Sequence, residues 1–139
     1  MSRWLFDLGN TRLKFAPLRD DGTLGEVTAL VHADGELARA LDRALPAGQA
    51  SGYLASVASD RLTVAVLETL ATRFRLVSCA RSTRQCAGVR SAYAEPSKLG
   101  VDRLLALAGA RARGPGAWLV VGVGTATTID LMDREGLHR

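Results

Sequence analysis

The sequence has 139 residues and a mass of 14.7 kDa, which is enough for one compact domain, or for one domain and part of another. Hydrophobic residues make up 47% and charged residues 23%, a globular balance that argues against a disordered chain or a coiled coil. The net charge of +4 favours anionic partners. With 5% aromatic residues and no basic block, nucleic acid is not the first choice of partner, and small phosphorylated ligands suit the charge equally well.

The residues up to 81 predict strands that alternate with helices. Short apolar runs predict strands over residues 3–7, 11–18, 25–31, 52–57 and 75–79. Apolar residues at helical spacing predict two helices, over 35–45 and from 60 to about 74. Asp34 and Asp60 stand where the caps of these helices are expected.

The residues after 80 begin with a long polar stretch. Residues 80–100 show no periodicity, which is typical of a functional loop or a linker. A helix is predicted over 101–112, and strands over 117–123 and 126–132 enclose a tight turn at Gly124 and Thr125.

The chain contains one weak internal repeat. Residues 7–11 follow an apolar strand and open a hairpin, and residues 122–126 do the same. We therefore expect an α/β chain with a first domain over 1–81, a connecting loop that lines the substrate pocket over 82–100, and the start of a second, similar domain over 101–139. The second hairpin has too little chain after it for a complete sheet, so we expect a truncated chain or one that another chain completes.

No feature predicts membrane insertion, secretion or a metal centre. The longest apolar stretch, 117–123, is too short to span a bilayer, and Asp7 precedes any apolar segment of a signal peptide. Cys79 and Cys86 cannot frame a disulfide-rich fold, and with two scattered histidines they show no metal-ligand spacing. We expect a cytoplasmic protein.

The N-terminal hairpin carries residues suited to phosphate binding. Asp7 ends a buried strand and can hold Mg²⁺ through water, while the turn formed by Gly9, Asn10 and Thr11 offers N–H and hydroxyl groups to phosphate oxygens. Lys14, on the next strand, adds a positive charge. The alternative is a plain hairpin with an Asx-type turn.

A second candidate site precedes and opens the helix over 101–112. Gly100 permits a tight turn, and Asp102 lies in the first helical turn, where it can accept a proton from an attacking hydroxyl. Arg103 can bind a substrate carboxylate through two N–H groups, and Tyr93 can line a pocket. The alternative is a helix cap with a surface ion pair.

These motifs together resemble those of type III pantothenate kinases, a family also called the Bvg accessory factor family. The resemblance is collinear and rests on residues 7–14, 88–103 and 124–130, of which the middle segment is the most specific. It implies two ribonuclease-H-like domains with mixed sheets, as in the actin-like ATPase superfamily. It also implies a homodimer that transfers the γ-phosphate of ATP to pantothenate, the first step of coenzyme A synthesis, with Mg²⁺ and a monovalent cation, K⁺ or NH₄⁺.

The resemblance also implies roles for individual residues. Asp102 would be the base on the pantothenate hydroxyl, and pantothenate would be bound by Tyr93, Gly100 and Arg103. The ATP phosphates would be organised by the N-terminal hairpin and by the second turn, through Asp7, Gly9, Asn10, Thr11, Lys14 and Thr125.

Two features depart from the family pattern. Gly122 stands where the family, and the internal repeat, place an aspartate, and the chain ends a little past the middle of a family member. Loss of one acid should lower turnover by about two or more powers of ten. We therefore expect weak activity or none. One alternative is a non-catalytic binding protein. The other is a kinase-like ATPase with a different phosphate acceptor, and the segment from Tyr93 to Arg103 argues against this second alternative.

Overall fold

The structure is a computed structural model that describes residues 2–32 and 35–139. The chain forms two compact units that divide between Ala80 and Arg81. Across the described ranges, no helix is long and apolar enough to cross a membrane.

The first unit is a five-stranded mixed sheet with two helices. Its strands are β1 (Arg3–Leu8), β2 (Arg12–Leu18), β3 (Thr28–Val31), β4 (Gln49–Ser56) and β5 (Phe74–Cys79), and its helices are α1 (Leu37–Ala44) and α2 (Asp60–Arg73). The strand order is β3-β2-β1-β4-β5; β1 is antiparallel to β2 and parallel to β4, and β4 is parallel to β5. The predicted α/β class with a mixed sheet is confirmed.

One face of this sheet is buried beneath the two helices. Strand alternation turns Phe6 and Leu8 of β1 towards Leu41 of α1 and Leu70 of α2. The ring of Phe6 stacks on Phe15 at 5.7 Å between centroids. The intervening residues of β1 and β2, among them Asp7 and Lys14, therefore lie on the opposite face.

Three predictions about the first unit need correction. Strand β4 begins at Gln49 rather than at residue 52. The third strand begins at Thr28 rather than at residue 25, because Pro17 has no N–H with which to return the hydrogen bond that its carbonyl accepts from Gly25. Helix α2 is capped by Ser59, whose side chain accepts from the Leu62 N–H. Asp60 is instead the first helical residue. The predicted cap Asp34 lies outside the described residues.

The second unit combines one long helix with two hairpins. Its elements are β6 (Gln85–Cys86), β7 (Val89–Arg90), a short 3-10 helix (Pro96–Lys98), α3 (Val101–Ala112), β8 (Trp118–Val123) and β9 (Thr127–Met132). Leu104 and Leu107 of α3 pack against Val89 and Met132 in a separate core. The apolar spacing that predicts α3 gives its observed bounds.

The stretch over 80–100 is more structured than predicted, since β6 and β7 form a hairpin within it. The two turn residues, Ala87 and Gly88, have φ angles of 48° and 79°. Positive φ at both positions is the geometry of a tight hairpin turn, which Asn-Gly or Asp-Gly usually signals. Because the first turn residue is an alanine, the sequence pattern did not predict this hairpin.

Candidate functional site

The turn between β1 and β2 is held by hydrogen bonds from two sides. The Gly9 N–H donates to the Arg12 carbonyl at 2.9 Å. His32 binds the same turn, because its backbone N–H donates to the Thr11 carbonyl at 3.2 Å and its Nε2 lies 2.8 Å from the Gly9 carbonyl oxygen. The segment of Gly9, Asn10 and Thr11 is thus a fixed turn, and His32 is a supporting residue that sequence reasoning missed.

Asp7 and Lys14 lie directly opposite each other on β1 and β2. Both side chains belong to the exposed face of the sheet, since the alternate residues of these strands form the core. Directly paired residues of antiparallel strands have Cβ atoms about 5 Å apart. A carboxylate and an ammonium group are therefore presented side by side, next to the turn between β1 and β2.

The hairpin of β8 and β9 repeats this arrangement without the acid. Gly122 precedes the last residue of β8, as Asp7 precedes the last residue of β1, and its partner on β9 is Thr128. Thr125 lies exposed at the tip, where the Gly124 N–H donates to the Ala126 carbonyl at 3.1 Å. The local geometry supports the equivalence of positions 7 and 122 on which the internal repeat depends.

Asp102 lies exposed in the first turn of α3, which follows the extended backbone of Gly100. Its Oδ1 accepts a hydrogen bond from the Arg103 N–H at 2.8 Å. Asp102 is therefore presented to solvent at the N-terminal end of α3.

Arg103 is held by a carboxylate that the sequence analysis did not assign to the site. Its Nε donates to Asp130 Oδ2 at 3.0 Å and its Nη2 donates to Oδ1 at 2.5 Å. These hydrogen bonds raise the pKa of Arg103 above its usual range. The same bonds lower the pKa of Asp130, although burial opposes the shift. Asp130, only 2% exposed, is therefore a buried anion with a fixed cationic partner.

Tyr93 and His138 complete this cluster. His138 Nε2 lies 2.9 Å from Asp130 Oδ1, and the Tyr93 ring stacks on the imidazole at 5.9 Å between centroids. The Tyr93 side chain also contributes to the raised pKa of Arg103. Two of the predicted pantothenate-binding residues, Tyr93 and Arg103, thus meet through Asp130 and His138.

The predicted site residues therefore fall into two groups. The first unit carries the residues of the N-terminal hairpin, namely Asp7, Gly9, Asn10, Thr11 and Lys14, and the second carries Tyr93, Gly100, Asp102, Arg103 and Thr125. Sequence reasoning missed His138 and gave Asp130 no role, although Asp130 ends the segment 124–130 on which the family resemblance rests. A second signal was its place two residues before the core residue Met132, on the inward face of β9.

The comparisons with known proteins decide the family. A sequence model described as "Type III pantothenate kinase" matches residues 4–139. The chain belongs to the type III pantothenate kinase family. A protein of that name from Xanthomonas campestris pv. campestris (strain B100) is 53% identical over 139 residues, covering 99% of this chain and 55% of the relative. Another from Stenotrophomonas maltophilia (strain K279a) is 52% identical over 139 residues, covering 99% and 56%.

The chain thus spans about half the length of these family members. Its residues fit a metal site in which the ion is held partly by the protein and partly by water and phosphate oxygens, and not a site made of protein side chains alone. In the described ranges, no group of three or more His, Cys, Asp or Glu side chains is placed to hold a metal ion. Mg²⁺ in kinases is usually held by one or two carboxylates together with water and phosphate oxygens, so Asp7 fits as one such ligand. Gly122 supplies none.

Proposed function

We propose that this chain belongs to an ATP-dependent kinase that phosphorylates a hydroxyl of pantothenate. The observation that carries the proposal is the exposed Asp102 in the first turn of α3, next to an arginine fixed by a buried acid, in a chain that matches the family throughout. This arrangement supplies a proton acceptor and a fixed cation to one small anionic alcohol.

The ATP side of the proposal rests on the N-terminal hairpin. The Gly9 N–H donates to the Arg12 carbonyl, so the other turn N–H groups and the Thr11 hydroxyl bind phosphate oxygens, and Lys14 compensates their charge. Asp7 would hold Mg²⁺ through water, and the ion would supply charge neutralisation to the ATP phosphates. Thr125 provides the corresponding phosphate contact on the second hairpin.

The pantothenate side rests on the residues of the second unit. Asp102 accepts the hydroxyl proton as the oxygen attacks the γ-phosphorus, whose bond to the ADP oxygen breaks. Arg103 binds the pantothenate carboxylate, and Tyr93 and Gly100 line the pocket. Phosphoryl transfer depends mainly on positioning and charge compensation, and these residues supply both to pantothenate.

Further proposals concern the whole protein. We propose the domain division at 81 and 100, a homodimer, a monovalent cation (K⁺ or NH₄⁺), and a cytoplasmic location. Position 122 carries no side chain that could hold a cation, which favours one alternative function. A non-catalytic protein that binds pantothenate or a partner would keep the Arg103 cluster and lose turnover.

The test compares this chain with Gly122→Asp and with Gly122→Asn, which matches the size of aspartate without its charge. ADP release is measured with ATP, Mg²⁺, K⁺ and pantothenate, and thermal shift is measured with pantothenate alone. The proposal predicts faster ADP release for Gly122→Asp only. A pantothenate shift without ADP release from any variant would support the binding protein. If no variant releases ADP and pantothenate gives no thermal shift, both proposals are overturned.

A further inference from the structure

The second unit contains two buried ionisable side chains close to Arg103, those of Asp130 and His138, and neither takes part in the proposed phosphoryl transfer. Asp130 is 2% exposed and His138 is 3% exposed. Burial of an ionised carboxylate is costly unless it is paired and hydrogen-bonded. Their burial next to an arginine of the proposed pantothenate site suggests a role in shaping that site.

Asp130 fixes both the position and the orientation of the Arg103 guanidinium. Its two oxygens accept from Nε and Nη2, which lie on one edge of the planar group. Nη1 takes no part in these two bonds. An arginine held along one edge presents its remaining N–H groups in a defined direction, with most of its rotamer freedom already lost.

Asp130 is itself held in place by the segment that follows β9. Oδ1 of Asp133 accepts from the Leu137 N–H at 2.9 Å, which closes a turn after the strand. The His138 N–H then donates to the Arg90 carbonyl at 2.9 Å, and this bond places the imidazole against Asp130 Oδ1. The carboxylate is thus supported by His138 as well as by Arg103, through the shared oxygen Oδ1.

We propose that Asp130 is a positioning residue for pantothenate, acting through Arg103, and that His138 supports it while holding the ring of Tyr93. This inference rests on the proposed function. An arginine ordered before binding loses less entropy when the ligand arrives, and immobilising one such side chain is worth about tenfold in affinity. Asp130 therefore tightens pantothenate binding without touching the ligand.

The test measures the dissociation constant of pantothenate by calorimetry for this chain and for Asp130→Asn, Arg103→Ala and the double variant. Asp42→Asn is the control, because it removes another Asp–Arg pair, that of Asp42 with Arg73. Binding is measured well below the lowest melting temperature of the set, so that every variant is folded. ATP·Mg²⁺ binding is measured in parallel.

The inference predicts about tenfold weaker pantothenate binding for Asp130→Asn, unchanged ATP binding, and no further loss when Asp130→Asn is added to Arg103→Ala. If Asp130 has a purely structural role, Asp130→Asn should weaken the binding of both ligands, or should weaken pantothenate binding by the same factor with and without Arg103. Either result would overturn the inference. If Arg103→Ala weakens pantothenate binding and Asp130→Asn leaves it unchanged, the inference is overturned and the proposed function is not. No pantothenate binding by the unmodified chain would overturn the proposed function with it.

Discussion

The hydroxyl of Thr128 occupies the space that a side chain at Gly122 would need. A Cβ built on Gly122 would lie 2.6 Å from Thr128 Oγ1, whereas the next atom, Thr128 Cβ, is 4.0 Å away. The obstacle is therefore one side-chain oxygen, and rotation of the threonine can remove it. Any substitution that restores an acid at position 122 must include this rotation.

The first prediction concerns this pair. In a strand, alanine is favoured over glycine by about 0.5–1 kcal/mol, but at position 122 it must displace the hydroxyl, and a threonine moved off its rotamer costs about 0.5–1.5 kcal/mol. We expect Gly122→Ala to be about 1 kcal/mol more favourable in a Thr128→Ala background than alone. Urea unfolding of the four proteins measures this difference. Additive effects would show that the hydroxyl does not restrict position 122.

The second prediction concerns acid stability. The pKa of Asp130 is lowered from its ordinary value of 3.8, first by its hydrogen bonds with Arg103. A group whose pKa is lower in the folded state stabilises fully above its unfolded pKa, and this contribution is lost as the pH falls through the folded value. The melting temperature of this chain should therefore exceed that of Asp130→Asn at pH 6, with the gap closing below about pH 4. A gap that widens in acid would contradict the assignment.

The third prediction concerns Lys14, the cross-strand neighbour of Asp7. Because Lys14 is exposed, Lys14→Gln should change stability by no more than about 0.5 kcal/mol. Loss of its charge should weaken ATP·Mg²⁺ binding about tenfold and leave pantothenate binding unchanged. Calorimetry measures both ligands. Arg3→Gln, at the other end of the same hairpin, is the control, and equal ATP affinities for the two variants would reject a phosphate contact by Lys14.

The fourth prediction concerns the ligand group that Arg103 recognises. Pantothenol carries an alcohol in place of the pantothenate carboxylate. A charge-assisted hydrogen bond is worth about 1.5–3 kcal/mol, so Arg103→Gln should weaken pantothenate binding at least tenfold and change pantothenol binding little. Competition binding with the two ligands gives the ratio. Equal losses for both would assign Arg103 to another part of the ligand.

Local patterns predicted most of the fold, because strand alternation and helical spacing are properties of neighbouring residues. Helix α3 and the N-terminal hairpin have the bounds expected within a residue. The turn at Ala87 escaped prediction because its positive φ is not typical of alanine. Asp130 escaped for a different reason. Its partner Arg103 is 27 residues away, and only the packing of α3 against β9 brings the two together.

The most direct measurement of the central claim is the yield of phosphopantothenate, quantified by mass spectrometry with ATP, Mg²⁺, K⁺ and pantothenate. Gly122→Asp should raise the yield by about two powers of ten over this chain, because the acid would hold a cation that compensates the charge of the phosphates. Adding Asp102→Asn to that variant should abolish the gain, since no group then accepts the hydroxyl proton. An unchanged yield from Gly122→Asp, or an equal yield with and without Asp102, would contradict the account.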